Sequence, residues 1–333
     1  MRYFVIQNSV VSVVCWQPLN GRYVSGGKLT TCIICLGEKE ISKANPLSVE
    51  HIIPEFAGGT LTVKNVCKSC NSAMGDGFEG KLANSIEFKV PRYFYGLAGK
   101  NKNIPNPFIG NFENEQIGRF SVKDDLSIIT TSQLTLDASE NGIGFEISVD
   151  KSEVHKAREM LFIKLKRYSK SQGKVISNEK LLELVELLLS NATIHHSKVE
   201  NPQVKTRAVI NMNHHYLLYI KIAYELAVFH FGNDYLNDPK ASALRQALRS
   251  QKIDSSVELF IPEKSDFGIE YNEDFHWVIF YQGSCFISIF GMLLAVKFSD
   301  VHFAENSSKV LVYKFDFKNG NYSHYNRILE RKT

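Results

Sequence analysis

No run of apolar residues in the sequence is long enough for a membrane-spanning helix, which needs about 18 or more. The nearest approach, "FHWVIFYQGSCFISIFGMLLAVKF" (275–298), is broken by Gln282, Gly283, Ser284 and Gly291. Its β-branched and aromatic content reads as two or three buried strands, so no membrane partner is expected. The first residues, "MRYFVIQNSVVSVVCWQPLN", carry one Arg before an apolar stretch but no small-residue cleavage site. Strands closed by a turn suit them better than a secretory signal. Cysteine is scarce, with 6 in 333 residues, which excludes a small disulfide-stapled scaffold. Net charge is low, at +4, so overall charge says nothing about a polyanionic partner. Internal repeats and low-complexity tracts are missing as well.

What remains is an ordinary globular composition, 44% apolar and 22% charged. A chain of this length can bury a large core unaided, so any metal site is expected to serve a local purpose. Four of the cysteines form two C-x-x-C pairs, Cys32/Cys35 and Cys67/Cys70, with 31 residues between the pairs. Each pair can present two thiolates on a tight turn. Two such turns meeting give a tetrahedral four-thiolate site suited to structural zinc, with no open coordination position. Such pairs in a chain of this size imply a reducing compartment, and cytoplasm is the expectation. Cys15 and Cys285 stand alone in apolar, strand-like contexts.

The segment order predicts an α+β chain, not the alternation of a parallel α/β sheet. Residues 81–115 cluster Pro, Gly and Asn and read as a loop-rich connection, which suggests an N-terminal module over 1–95 and a mixed α+β region over 96–333. Strands are expected at 119–137 and 142–150. Helices are expected at 152–170, 178–192, 216–232 and 239–250, and strands dominate from Val257 to His324.

Between the cysteine pairs lies "LSVEHIIPEFAGGTLTVKNV". It offers a strand bearing Glu50 and His51, a bend at Gly58 and Gly59, and Asn65 just before the second pair. A helix beginning at that pair takes Asn71 into its first turn. In this order the ten positions Cys32, Cys35, Glu50, His51, Gly58, Gly59, Asn65, Cys67, Cys70 and Asn71 resemble the HNH endonuclease family in its zinc-knuckle form. The resemblance covers about residues 30 to 80. It implies a ββα-metal module that hydrolyses phosphodiester bonds in DNA, most often double-stranded. By resemblance, His51 is the general base that activates water, and Glu50 and Asn71 hold one Mg2+ or Mn2+. Asn65 fastens the loop between strand and helix. Histidine suits the base role because its ordinary pKa lies near working pH, and oxygen ligands suit a hard cation. Defence against foreign DNA is the family's habit for a stand-alone nuclease.

Two departures from the family stand out. Many members have Asp where this chain has Glu50, and some place a histidine where Gly75 stands. The alternative reading is a zinc-containing nucleic-acid-binding protein that has kept the fold without catalysis.

Candidate nucleic-acid contacts are Lys68, Lys81, Lys89, Arg92, Lys164 and Arg167. All but Lys68, which lies within the second cysteine pair, come from two basic stretches, 81–103 and 151–174, set against a strongly acidic 254–274. His195-His196 and His214-His215 are expected to be solvated or structural, since adjacent side chains project in different directions. Nicking or double-strand cleavage would depend on whether a homo-oligomer forms.

Overall fold

The computed structural model describes residues 30–100, 102–114, 118–139, 142–196, 209–262, 274–300 and 309–328. The strands expected over 1–20, and Cys15 with them, lie outside the described residues. The fold is α+β, as expected, with the four cysteines gathered in its N-terminal part. Contacts divide the chain into two compact units, one of 1–105 with 209–333 and one of 106–208.

The first unit opens on the turn that carries Cys32 and Cys35. Strands β1 (Leu47–His51) and β2 (Thr62–Cys67) then form an antiparallel hairpin. Its register slips between Ser48 and Glu50, so that Lys64 and Asn65 of β2 together face Val49. The connection includes a short 3-10 turn, Glu55–Ala57, ended by Gly58 in the left-handed region at φ +80°. Both glycines here are required. Gly58 supplies the positive φ, and a Cβ on Gly59 would lie 1.7 Å from the Ile53 carbonyl oxygen.

Helix α1 (Lys68–Met74) starts on the residue after Cys67. One of its otherwise unsatisfied N–H groups, that of Ser69, donates to Asn45 Oδ1 at 2.9 Å, a cap supplied from outside the helix. A π-helical turn, Gly75–Glu79, leads into α2 (Gly80–Ala83) and α3 (Ile86–Tyr95).

The second unit holds a three-stranded antiparallel sheet of β3 (Gly110–Asn114), β4 (Gly118–Val122) and β5 (Ile128–Thr130). A hairpin of β6 (Gln133–Ser139) and β7 (Gly142–Ser148) follows. Asp150 then caps a 3-10 turn that runs into α4 (Ala157–Ser171), and Ser177 caps α5 (Asn178–Ser190). Leu161, Leu165, Leu181 and Val185 pack with apolar residues of β6 and β7 in a small core of their own.

Returning to the first unit, α6 (Met212–Phe231) and α7 (Pro239–Ser250) precede a six-stranded antiparallel sheet. Its strands are β8 (Leu259–Phe260), β9 (His276–Tyr281), β10 (Ser284–Ile289), β11 (Met292–Lys297), β12 (Lys309–Asp316) and β13 (Asn321–Ile328). Their spatial order is β13-β12-β9-β10-β11-β8. Helix α6 is apolar nearly all round and correspondingly buried. It belongs to one continuous core with Ile33, Ile52 and Met74 of the cysteine-bearing module and with Val278, Ile287 and Phe315 of the sheet.

Two expectations change. Residues 80–95 are largely helical, because α3 anchors the buried Phe88 and Arg92 despite Pro91 within it. Gly96, left-handed at φ +68°, ends that helix. The compact units also divide the chain differently from 1–95 and 96–333. The C-terminal sheet and α6 share the core of the cysteine-bearing module, and the separate unit is the 106–208 insertion.

Candidate metal centre and active site

The hairpin and α1 bring the two cysteine pairs together. All four residues are buried, and their sulfur atoms lie within 4.8 Å of one another. Cys35 Sγ and Cys67 Sγ are 4.0 Å apart, close to the edge of about 3.8 Å expected for a tetrahedron of thiolates about 2.3 Å from a zinc ion. The four residues fit a zinc ion. A hydrogen bond from Cys70 holds Cys32 well below the ordinary thiol range, while Cys70 is pushed up by the same bond and by burial. The first pair is fastened to β2 by the Ile33 amide, which donates to the Asn65 carbonyl at 2.9 Å. Tyr224 of α6 donates its hydroxyl to the Ile33 carbonyl at 2.6 Å.

Glu50 and His51 end β1 and take opposite directions, as pleating requires. Glu50 turns inward and is 4% exposed, while His51 stays half-buried. Burial lowers the His51 pKa. Glu55 works against that shift, whereas Lys221 and Lys100 add to it, so the ring is neutral at working pH. Glu50 meets Lys221 of α6, whose Nζ lies 2.5 Å from its carboxylate. The same ammonium lies 2.7 Å from Glu79 and 3.8 Å from Glu225, and it donates to the His51 carbonyl at 2.7 Å.

Lys221 and Glu225 are fully buried. Burial works against the Lys221 charge, yet the carboxylates of Glu225, Glu79 and Glu50 outweigh it and raise its pKa. Burial raises the pKa of Glu50, against the pull of Lys221, and pushes Glu225 well above the carboxylate range. Neither Glu225 oxygen has a hydrogen-bond partner among the described residues.

Asn71 Nδ2 donates to Ser48 Oγ at 3.1 Å and to the Val49 carbonyl at 3.0 Å, tying α1 to β1. Both amide hydrogens are thereby used, which leaves Oδ1 as the amide's acceptor. Asn65 is buried and fastens the first cysteine turn through its backbone carbonyl, while its side-chain Oδ1 is without a partner among the described residues. Gly75 carries no ligand, and a Cβ there would meet nothing within 4 Å.

The expected nucleic-acid contacts separate. Lys68 and Lys81 are exposed and Lys89 is half-buried on the first unit, whereas Lys164 and Arg167 are exposed on α4 of the second. Arg92 is the correction. It is 7% exposed and its guanidinium donates to the carbonyls of Ala83, Leu97 and Ala98, because those backbone groups follow helix ends that leave them unpaired. Of the histidine pairs, His195 and His196 are exposed, and His215 is a buried structural residue 2.8 Å from Glu87.

The sequence reading passed over three residues. Lys221 and Glu225 announce themselves, since they are the only charges in the apolar stretch 216–229 and sit four residues apart on one helix face. Glu79 carried no such signal, because the π turn that aims it inward is not written in "GDGFEG".

No helix among the described residues is long and apolar enough to cross a membrane. No curated protein matches the chain, and neither does any solved structure. Residues 32–87 match the family model described as HNH endonuclease, which spans both cysteine pairs, the hairpin with Glu50 and His51, and Glu79.

Proposed function

We propose that the chain is a metal-dependent HNH endonuclease that hydrolyses phosphodiester bonds in double-stranded DNA. The observation that carries this reading is the arrangement at the end of β1. His51, half-buried, and Glu50 end the same strand, on a hairpin that runs into a helix with two of four clustered thiols at its start.

His51 takes the proton from the attacking water. Its burial favours the unprotonated ring that this step needs. Glu50 and the Oδ1 of Asn71 would hold a Mg2+ or Mn2+ ion. The donor set fits a hard cation, since both donors are oxygens, one of a carboxylate and one of an amide carbonyl. When bound, the ion supplies Lewis acidity to the phosphate and to the departing oxygen. The zinc-binding thiols act at one remove. Cys70 is the residue before Asn71, so fixing that thiolate fixes the start of α1. Lys68, Lys81 and Lys89 are the phosphate contacts of the first unit, and Lys164 and Arg167, taken by themselves, those of the second.

Cleavage of plasmid, linear DNA and RNA, screened across divalent metals, tests the reading. DNA cleavage in Mg2+ or Mn2+ that is lost in His51→Ala supports it. Equal cleavage by wild type and His51→Ala sinks the mechanism.

One observation favours a second reading. Glu50 already has a cation in Lys221, so the chain could bind nucleic acid through a zinc-stabilised module without cutting it. That reading predicts salt-sensitive binding and no cleavage in any divalent metal.

A further inference from the structure

We propose that Lys221 is a positioning residue of the nuclease site, fixing the general base and the adjacent carboxylate relative to each other from a helix 170 residues away in the chain. The proposal rests on the reading of His51 and Glu50 as catalytic groups.

Its ammonium makes two contacts that differ in kind. It holds the side chain of Glu50 at 2.5 Å and the backbone carbonyl of His51 at 2.7 Å. The peptide unit that carries the His51 carbonyl is also gripped at its other end, where the Ile52 amide donates to the Leu61 carbonyl at 3.1 Å. The peptide plane that follows His51 is thus held on both sides, by the same ammonium that holds the Glu50 carboxylate and by the Leu61 carbonyl.

Helix α6 is itself a rigid mount. Tyr219 donates to the Met292 carbonyl at 2.6 Å and Tyr224 to the Ile33 carbonyl at 2.6 Å, so the helix is tied to the sheet and to the first cysteine turn. Through Tyr224 and Lys221 the same helix links the thiol cluster to the end of β1.

Stability does not account for the arrangement. Four ionisable groups in a buried cluster cost desolvation, and apolar residues of similar volume would serve a core at least as well. Glu225 sharpens the point, because it is fully buried and without a hydrogen-bond partner among the described residues. A cluster this expensive to bury is explained by what Lys221 holds in place. Lys221 itself is fully buried and does not reach substrate.

The test compares the full-length, zinc-loaded wild type with Glu225→Leu, the pair Lys221→Met/Glu225→Leu, and Lys221→Arg. The pair removes the ammonium together with the deepest carboxylate, so that it folds without a stranded charge at Glu225. Two quantities are read, kcat for plasmid nicking at saturating Mg2+ and hydrogen exchange of the Ile52 amide. Relative to Glu225→Leu, the pair should lose about 100-fold in kcat, the scale of a misplaced catalytic group. Its Ile52 amide should exchange about tenfold faster.

A pair that keeps the kcat of Glu225→Leu overturns the proposal, and so does unchanged Ile52 exchange. Should the pair not fold, Lys221→Arg decides. It retains the charge and moves the donors, so a wild-type kcat in that variant also overturns the proposal. A wild type that cleaves nothing would end the nuclease reading instead, while Ile52 exchange would still report on the grip of Lys221.

Discussion

Acid should unfold this protein partly through one histidine that has no part in catalysis. His276 opens β9 and is fully buried. Its Nε2 lies 2.7 Å from the Ala57 carbonyl, which can only accept, so Nε2 carries the hydrogen. Its Nδ1 accepts the Phe290 amide at 3.3 Å, so that nitrogen is bare. Phe317 stacks on the ring at 4.4 Å and Phe290 meets it edge-on at 4.6 Å. A second proton would set two donors against each other inside an apolar cage. Burial therefore pushes the pKa down to about 4.

In the unfolded chain the same ring titrates near 6.5. Its folded value is the depressed one, so the unfolded state binds the extra proton first as pH falls. The stabilisation from keeping the ring neutral is whole above about 6.5 and is lost as pH drops toward 4. The full loss is about 3 kcal/mol, and about 2 kcal/mol of it falls between pH 7 and pH 5. Urea denaturation of wild type and His276→Gln at pH 7 and pH 5, with zinc in excess, isolates this contribution. Glutamine can still donate to Ala57 but cannot gain a proton. The variant should lose about 2 kcal/mol less than wild type over that interval. An identical loss in both proteins would refute the assigned tautomer and the reasoning built on it.

Metal analysis of the purified chain should find one zinc per chain, and Cys70→Ser should lose it along with several kcal/mol of stability, seen as a lower Tm, on the order of the cost of losing a structural metal. Gly59→Ala should be severely destabilised and inactive, because a Cβ 1.7 Å from the Ile53 carbonyl forces the β1–β2 connection to move; a Tm and kcat equal to wild type would contradict it. Arg92→Ala should cost about 2 kcal/mol of stability yet leave the salt dependence of DNA binding unchanged, whereas Lys81→Ala should reduce the slope of log K against log salt by about 1. Fluorescence anisotropy over a salt series separates those two outcomes.

The short-range pattern was legible in the sequence because local chemistry dictates it. The C-x-x-C pairs, the Glu-His strand end, the double glycine and the helix start at Lys68 are each fixed by residues a few positions apart. They appear in the structure with nearly the expected bounds, and the family match falls on the same segment. Helices α4 to α7 were readable for the same reason, through their apolar spacing and caps.

Loop-like composition misled at 81–115, where burial of Phe88 and Arg92 outweighs the local signal of Pro91 and Gly96. Arg92 looked like a phosphate contact because sequence records its charge and not the direction in which it points. Only tertiary packing could decide that, by leaving three carbonyls at helix ends for its guanidinium to satisfy.

The sequence by itself determined which residue types exist for metal and base chemistry, since spacing within a hairpin or a turn needs no distant partner. The tertiary structure decided their electrostatic setting. It brought Lys221, 170 residues along the chain, under the His51 carbonyl and against Glu50, and it did so by burying an apolar helix whose only charges had to find partners.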